Sequence, residues 1–317
     1  MTDYIHRDPE FKDLLSIVAN EKKINVALIE KDYWIMHVLY SLQQQNIEFE
    51  LKGGTSFSKG FGLINRFSED IDIHIKTNFG LPTEGKADKP AVRNARKSFY
   101  DILASQLEID AITKIERDYE FDDLDKYRSG GIRIYYDSFT SSIEGLKDGI
   151  LLEVGFDQVT PNQPVDISSW VWEHLEKDGL ENEYISNLAK GVLCYHPGYT
   201  LIEKLQTIIR KYRNKDSDSN SNVKNFMRQY YDVYCLLQKP EIVQFIGSEE
   251  YIKHKALRIR GADSEIPLSE HPALLLTDDS IKDTFSKQYQ STSNLYYNGQ
   301  PDFEVIINGI KSYISKF

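Results

Sequence analysis

Apolar positions recur at helical spacing over residues 9–17 and again over 26–42, where Leu28, Tyr33, Trp34, Val38 and Leu42 can line one broad stripe. Both stretches predict helices. The run 49–52, Phe-Glu-Leu-Lys, alternates as a strand does and stops at Gly53-Gly54, after which 55–63 predicts a helix whose N-terminus points back at the strand end. Ile71, Ile73 and Ile75 alternate with Asp70, Asp72 and His74, so the next strand carries its three polar side chains on one face. Residues 77–90, rich in Gly, Pro, Lys and Asp, predict a loop, and 92–107 a helix. Strand alternation returns at 109–115 and 132–136, and 150–156, Ile-Leu-Leu-Glu-Val-Gly-Phe, is a strong strand with apolar residues on both sides of Glu153. Pro161 and Pro164 close this region.

Beyond Asp166 the pattern turns helical, best at 167–177, 200–212, 223–238 and 303–315, with the polar run Asp-Ser-Asp-Ser-Asn-Ser-Asn at 216–222 between them. The tract 262–302 does not read as one regular element, and no internal repeat is visible. The chain therefore divides into an α/β half at 1–165 and a mainly α-helical half at 166–317.

Composition narrows the class. Adding 18 glycines to the 40% of hydrophobic residues brings the apolar share of the 317 residues to about 46%, a globular value. The net charge is −11, with 38 basic against 49 acidic side chains. No apolar run is long enough to span a membrane, and the first residues carry neither the basic nor the apolar part of a signal peptide, so no membrane association and a cytoplasmic location are expected. Cys194 and Cys235 are too few for a disulfide framework and read as buried apolar side chains; no two of the seven histidines stand at i, i+4. Any metal is therefore expected on oxygen ligands.

The chemistry concentrates in residues 51–75. Asp70 and Asp72, two apart on a strand, face the same way, and two hard anions at one spot suit Mg²⁺ or Mn²⁺. Gly53 and Gly54 leave backbone N–H groups bare for a phosphate, beside the hydroxyls of Thr55 and Ser56. Glu153, an acid within an apolar strand, is costly to bury unless paired or metal-bound. Asp70, Asp72 and Glu153 from adjacent strands would make a two-metal site for phosphoryl transfer from a nucleoside triphosphate (NTP). Each half of this pattern alone has an ordinary reading, a turn or a solvated acidic face; their order carries the argument.

These residues resemble the nucleotidyltransferase superfamily and, within it, the AbiEii/AbiGii toxin family. The resemblance rests on Glu30-Lys31-Asp32-Tyr33-Trp34, Lys52-Gly53-Gly54-Thr55, Arg66-Phe67-Ser68-Glu69-Asp70-Ile71-Asp72, Glu203-Lys204-Leu205 and Arg228-Gln229-Tyr230-Tyr231-Asp232-Val233-Tyr234, in that order. It spans about 30–235 and says nothing past 240. It implies a mixed sheet with flanking helices and a C-terminal helical domain that completes the active-site cleft. It also implies that Gly54 and Ser56 hold nucleotide phosphates, that Asp70, Asp72 and Glu153 bind metal, that Lys204 neutralises triphosphate charge, and that Asp232 orients the triphosphate or the acceptor. The implied reaction moves a nucleoside monophosphate from an NTP to a hydroxyl at the 3′ end of tRNA, with a separately encoded antitoxin as partner.

Three readings by residue type complete the picture. Lysine on an amphipathic helix, such as Lys204, is ordinarily a surface cation, yet between 200 and 230 Lys204, Arg210, Lys211, Arg213, Lys215, Lys224 and Arg228 face only Glu203, Asp216 and Asp218. That local excess suits phosphate or RNA backbone, as does the acid-free run holding Lys253, Lys255, Arg258 and Arg260. Lys31 and Asp32 read as a buried ion pair tying their helix to the core. Two alternatives share the sequence: a nucleotidyltransferase acting on a protein or small molecule, which the acidic net charge favours, and a nucleotide-binding module without turnover, which the intact set of carboxylates argues against.

Overall fold

The computed structural model describes residues 3–84, 89–156, 160–215 and 220–317, with 220–225 described by backbone alone. Parts of the expected loop 77–90, the polar run from 216, Asp216 and Asp218, and the Lys224 side chain lie outside the described residues.

The chain forms two compact units, one of residues 1–62 and 67–195, the other of residues 63–66 and 196–317. In the first unit α1 (Phe11–Lys22) and α2 (Val26–Gln44) precede β1 (Phe49–Lys52), which runs straight into a short helix, α3 (Gly53–Thr55), continued by a wider turn over Ser56–Gly60. Then come β2 (Asp70–Ile75), α4 (Pro90–Gln106), β3 (Ile112–Asp118), β4 (Ser129–Tyr136), β5 (Ile150–Gly155), β6 (Asn162–Ile167), α5 (Trp170–Asp178) and β7 (Ala189–Tyr195). The described strands form one mixed sheet in the order β3-β4-β5-β2-β1-β7-β6, with β2/β5 and β1/β7 parallel and the other neighbours antiparallel. This is the α/β architecture that the sequence predicts, a mixed sheet with flanking helices.

The boundary falls later than 165. Pro161 and Pro164 suggest a stop, yet β6 uses Pro164 on the outermost strand of the sheet, where only one neighbour needs its backbone. β7 returns antiparallel to β6 and joins β1 in parallel. The helix predicted at 167–177 accordingly starts at Trp170, capped by the Ser169 hydroxyl on the Trp172 N–H, while Ile167 ends β6.

Helix α2 is buried around its whole circumference over 27–39, as a helix apolar on nearly every side must be. The exceptions are His37 and three charged residues in succession, Glu30, Lys31 and Asp32, each at most 2% exposed. The expected Lys31–Asp32 pair does not form, because consecutive helical residues point about 100° apart. Each finds its own partner instead. Glu30 accepts from the Phe139 N–H at 2.7 Å and the Ser138 hydroxyl at 2.8 Å. Lys31 stands 3.6 Å from Glu69 and donates to the Lys147 carbonyl. Asp32 pairs with Lys59 at 3.0 Å and accepts the Trp170 N–H at 2.7 Å.

The second unit is helical: α6 (Pro197–Arg213), α7 (Asn220–Leu237), α8 (Pro240–Phe245), α9 (Glu249–Arg258), α10 (Pro272–Leu275), α11 (Asp279–Gln290) and α12 (Phe303–Lys311). Leu201, Leu205, Ile208 and Ile209 give α6 one buried stripe, which meets α7. Residues 63–66 belong to this unit: Arg66 bridges to Tyr296, Tyr297 hydrogen-bonds Asn65 and Ile64, and the Asn65 N–H donates to the Tyr231 hydroxyl. Among the described residues no helix is long and apolar enough to cross a membrane.

Replacing Asp32 by Ala takes the carboxylate from the Trp170 N–H and leaves the buried Lys59 ammonium with only Glu173, 3.6 Å away, as an anionic partner. Urea unfolding should show a loss of about 3–5 kcal/mol, against under about 1 kcal/mol for an exposed acid such as Glu249.

Candidate active site

Strand register assembles the site. Lys52 of β1 lies opposite Asp72 of β2, and Asp72 opposite Glu153 of β5, so these side chains stand in one row across adjacent strands about 4.8 Å apart. Asp70, two residues before Asp72, shares that face, while Ile71, Ile73 and Leu152 fill the other. Asp70, Asp72 and Glu153 thus share one face of the sheet in the first unit.

The glycine turn fits against this row. Gly53 has φ +73°, and a Cβ there would lie 2.0 Å from Oδ2 of Asp72, so only glycine lets the turn close onto the carboxylate. The Thr55 hydroxyl donates to the Asp70 carbonyl at 2.7 Å, tying α3 to the start of β2. Of the two hydroxyls expected at phosphate, Thr55 is thus spent on the main chain, and Ser56 is wholly buried with its hydroxyl against the Cys194 thiol. Gly54 is buried beside them. The short helical turn sends these side chains inward, a direction the motif alone does not reveal.

Electrostatically the row is under strain. Burial, then Asp72 and Asp70, push the Glu153 pKa up to about 7, with Lys52 and Lys147 opposing. Asp70 keeps Oδ1 buried without a hydrogen-bond partner, while Oδ2 lies 3.3 Å from the Lys147 ammonium. An unsatisfied carboxylate oxygen beside two further carboxylates fits a hard cation. Among the described residues no three His, Cys, Asp or Glu side chains form a ready metal cage, so the three-ligand set expected from sequence is not preassembled. Mg²⁺ needs no such cage, since one or two carboxylates suffice when water and phosphate complete the shell. His74 belongs to another cluster: it meets Glu50 at 2.9 Å, and Glu50 also holds Lys76 and Asn162.

In the second unit Lys204 and Asp232 come together. Asp232, 0% exposed, accepts from Arg66 Nε at 2.6 Å and Nη2 at 2.7 Å, and pairs with Lys204 at 2.7 Å. Burial raises its pKa, but Arg66 and Lys204 outweigh that and hold the carboxyl below its usual range. Lys204 also donates to Gln229 at 3.0 Å and is 8% exposed, so it is not the surface cation that its residue type suggests. Sequence reasoning assigned no role to Arg66, although it stands in the quoted motif, and missed Lys147, which sits in a polar loop with no motif around it. The basic residues of the unit are partly spoken for, Arg213 by Asp263, Arg258 by Glu203 and Lys253 by Glu249.

A strand, a close-fitting glycine turn and a second strand with Asp-x-Asp beside a buried acid form the arrangement that the sequence resemblance implies. The family model described as the nucleotidyl transferase AbiEii toxin of type IV toxin–antitoxin systems matches residues 35–309, and the chain belongs to that family. The match reaches well past 240, where the sequence alone offered no resemblance. No curated protein matched the chain.

Gly53→Ala both strains a positive φ and drives a methyl into Asp72. Nucleotidyl transfer should fall by about a hundredfold, the scale set by displacing a catalytic group by about 1 Å, while circular dichroism stays that of the folded chain. Glu153→Gln tests the charge balance. Because the Glu153 pKa is raised in the folded state, the wild type should lose stability as pH rises from about 4.5 to 7, by about 2–3 kcal/mol. The Gln variant should lack that part of the slope in urea titrations across the window.

Proposed function

We propose that this chain transfers a nucleoside monophosphate from an NTP to the 3′-terminal hydroxyl of tRNA, with Mg²⁺ or Mn²⁺ held by Asp70 and Asp72. The observation that carries the reading is the row Asp72–Glu153 with Asp70 on the same face, closed over by Gly53. When bound, the divalent cation would supply Lewis-acid stabilisation of charge on the phosphates. With Thr55 engaged elsewhere and Ser56 buried, phosphate contact at the turn falls to the backbone N–H groups of Gly53 and Gly54. Glu153, with its pKa near neutrality, is suited to accept the proton of the attacking hydroxyl. The acceptor oxygen bonds to the α-phosphorus, the bond from that phosphorus to the β-bridging oxygen breaks, and pyrophosphate leaves. Lys204 offers an ammonium for phosphate, and Asp232, saturated by Arg66 and Lys204, acts by holding that ammonium in place rather than by touching substrate.

The tRNA acceptor is supported by the family and by the exposed cations Arg210 and Arg213 closing α6 and Arg260 after α9, in a chain of net charge −11. A cognate antitoxin as partner accords with the type IV toxin–antitoxin family. The pairing of Arg213, Arg258 and Lys253 with acids, and the acidic net charge, favour instead a protein or small-molecule acceptor as the second reading.

Purified protein incubated with each α-labelled NTP, Mg²⁺ or Mn²⁺, and either total tRNA or total cell protein separates these readings. Label should appear on tRNA and drop by about a hundred- to a thousandfold in Asp72→Asn, the scale of losing a group that stabilises transition-state charge. Label on protein alone would move the assignment to the second reading, and NTP binding with no transfer would leave a module without turnover.

A further inference from the structure

Lys147 is held at the site by a device of its own. Its backbone N–H donates to Glu69 Oε2 at 2.7 Å and its carbonyl accepts from the Lys31 ammonium, so one buried ion pair, both members 1% exposed, grips both polar groups of a single peptide residue. Gly145 (φ +90°) and Gly149 (φ +60°) bracket the loop. The main chain is thereby fixed while the side chain, 33% exposed, keeps its four-carbon reach. Its ammonium stands 3.3 Å from Asp70 Oδ2 and 5.7 Å from the Phe121 ring centre. Lys147 also lines a cavity of about 390 Å³ whose wall carries four acids, Glu116, Asp118, Glu120 and Asp148, against the two cations Arg117 and Arg133. Arg133 holds Asp118 and Lys114 holds Glu116, which leaves Glu120 and Asp148 to receive the ammonium. Lys147 therefore stands between two acidic surroundings: the catalytic row and this cavity.

We propose that Lys147 is a charge-balancing residue of the transfer site, an ammonium that competes with the divalent cation for Asp70 and turns into the acid-lined cavity when the cation takes that carboxylate; the proposal rests on the reading of Asp70 as a metal ligand. Coulomb repulsion sets the two occupants against each other, because an ammonium 3.3 Å from Oδ2 disfavours a doubly charged ion on that oxygen and, within the same carboxylate, on the unpartnered Oδ1. Lys31 and Glu69 are positioning residues in this scheme: they hold the residue and leave its tip free to exchange between the two places.

The test is Mn²⁺ binding by the full chain without nucleotide, followed by the electron paramagnetic resonance signal of the free ion. Lys147→Met should bind Mn²⁺ about two- to fivefold more tightly than wild type, the weight of a partly exposed ion pair removed from competition. Lys147→Arg, which keeps the charge, should stay near wild type, and Asp70→Asn should bind weakly. Unchanged or weaker binding by Lys147→Met, with Asp70→Asn still impaired, would overturn the proposal and leave the metal reading standing. Equal Mn²⁺ uptake by wild type and Asp70→Asn, or none by either, would overturn both.

Discussion

Burying a charge costs several kcal/mol unless a partner lies within reach, and α2 buries three in succession. Since Glu30, Lys31 and Asp32 radiate in different directions, their partners must arrive from separate parts of the first unit: the segment 138–140, the residues Glu69 and Lys147, and Lys59 with the Trp170 N–H. No rotation of the helix satisfies one of these and spares another. The helix is thus locked in orientation, and what it locks includes Glu69, the residue directly before Asp70. Strand β2 inherits its position from a charge-neutrality condition in the core behind it.

The two units treat carboxylates in opposite ways. Asp232 is given more cationic partners than it needs and becomes a fixed strut. Glu153 is buried and given like-charged neighbours in Asp72 and Asp70, which together push its pKa up to about 7. Removing a partner from the first arrangement leaves a buried charge uncompensated, whereas the second holds unfavourable energy within the folded chain. A protein of marginal stability can carry such a defect only if other parts of the chain compensate, as the α2 network does.

Much of this was legible because period-2 and period-3.6 patterns are local. Strand β1 at 49–52, the alternation of Asp70 to Ile75, the apolar run around Glu153 and the breadth of α2 follow from side-chain order alone. The antiparallel pairing of β6 with β7 was not legible, since Pro164 argues against a strand unless one knows that it lies at the sheet's edge. Partner choice was equally hidden. Lys31 and Asp32 are adjacent in sequence and look paired, yet their partners Glu69 and Lys59 come from other segments, and Lys147 reaches Asp70 across 77 positions of chain. Thr55 and Ser56 show the remaining gap: residue type announces a donor, but only the turn's geometry decides whether the donor faces a ligand or the core.

The short segment 63–66 has a consequence for how the molecule is made and how it can be divided. Arg66, which satisfies Asp232, is synthesised long before the helices that surround it, so the helical unit cannot complete its buried charge network from its own contiguous stretch of chain. During translation the first unit's chain must keep this stretch available until the last helices emerge. The helical unit is therefore compact without being a transferable cassette: excised at His196 it would carry Asp232 and Lys204 without the guanidinium that completes them, and recombination within the family would have to exchange the two segments together.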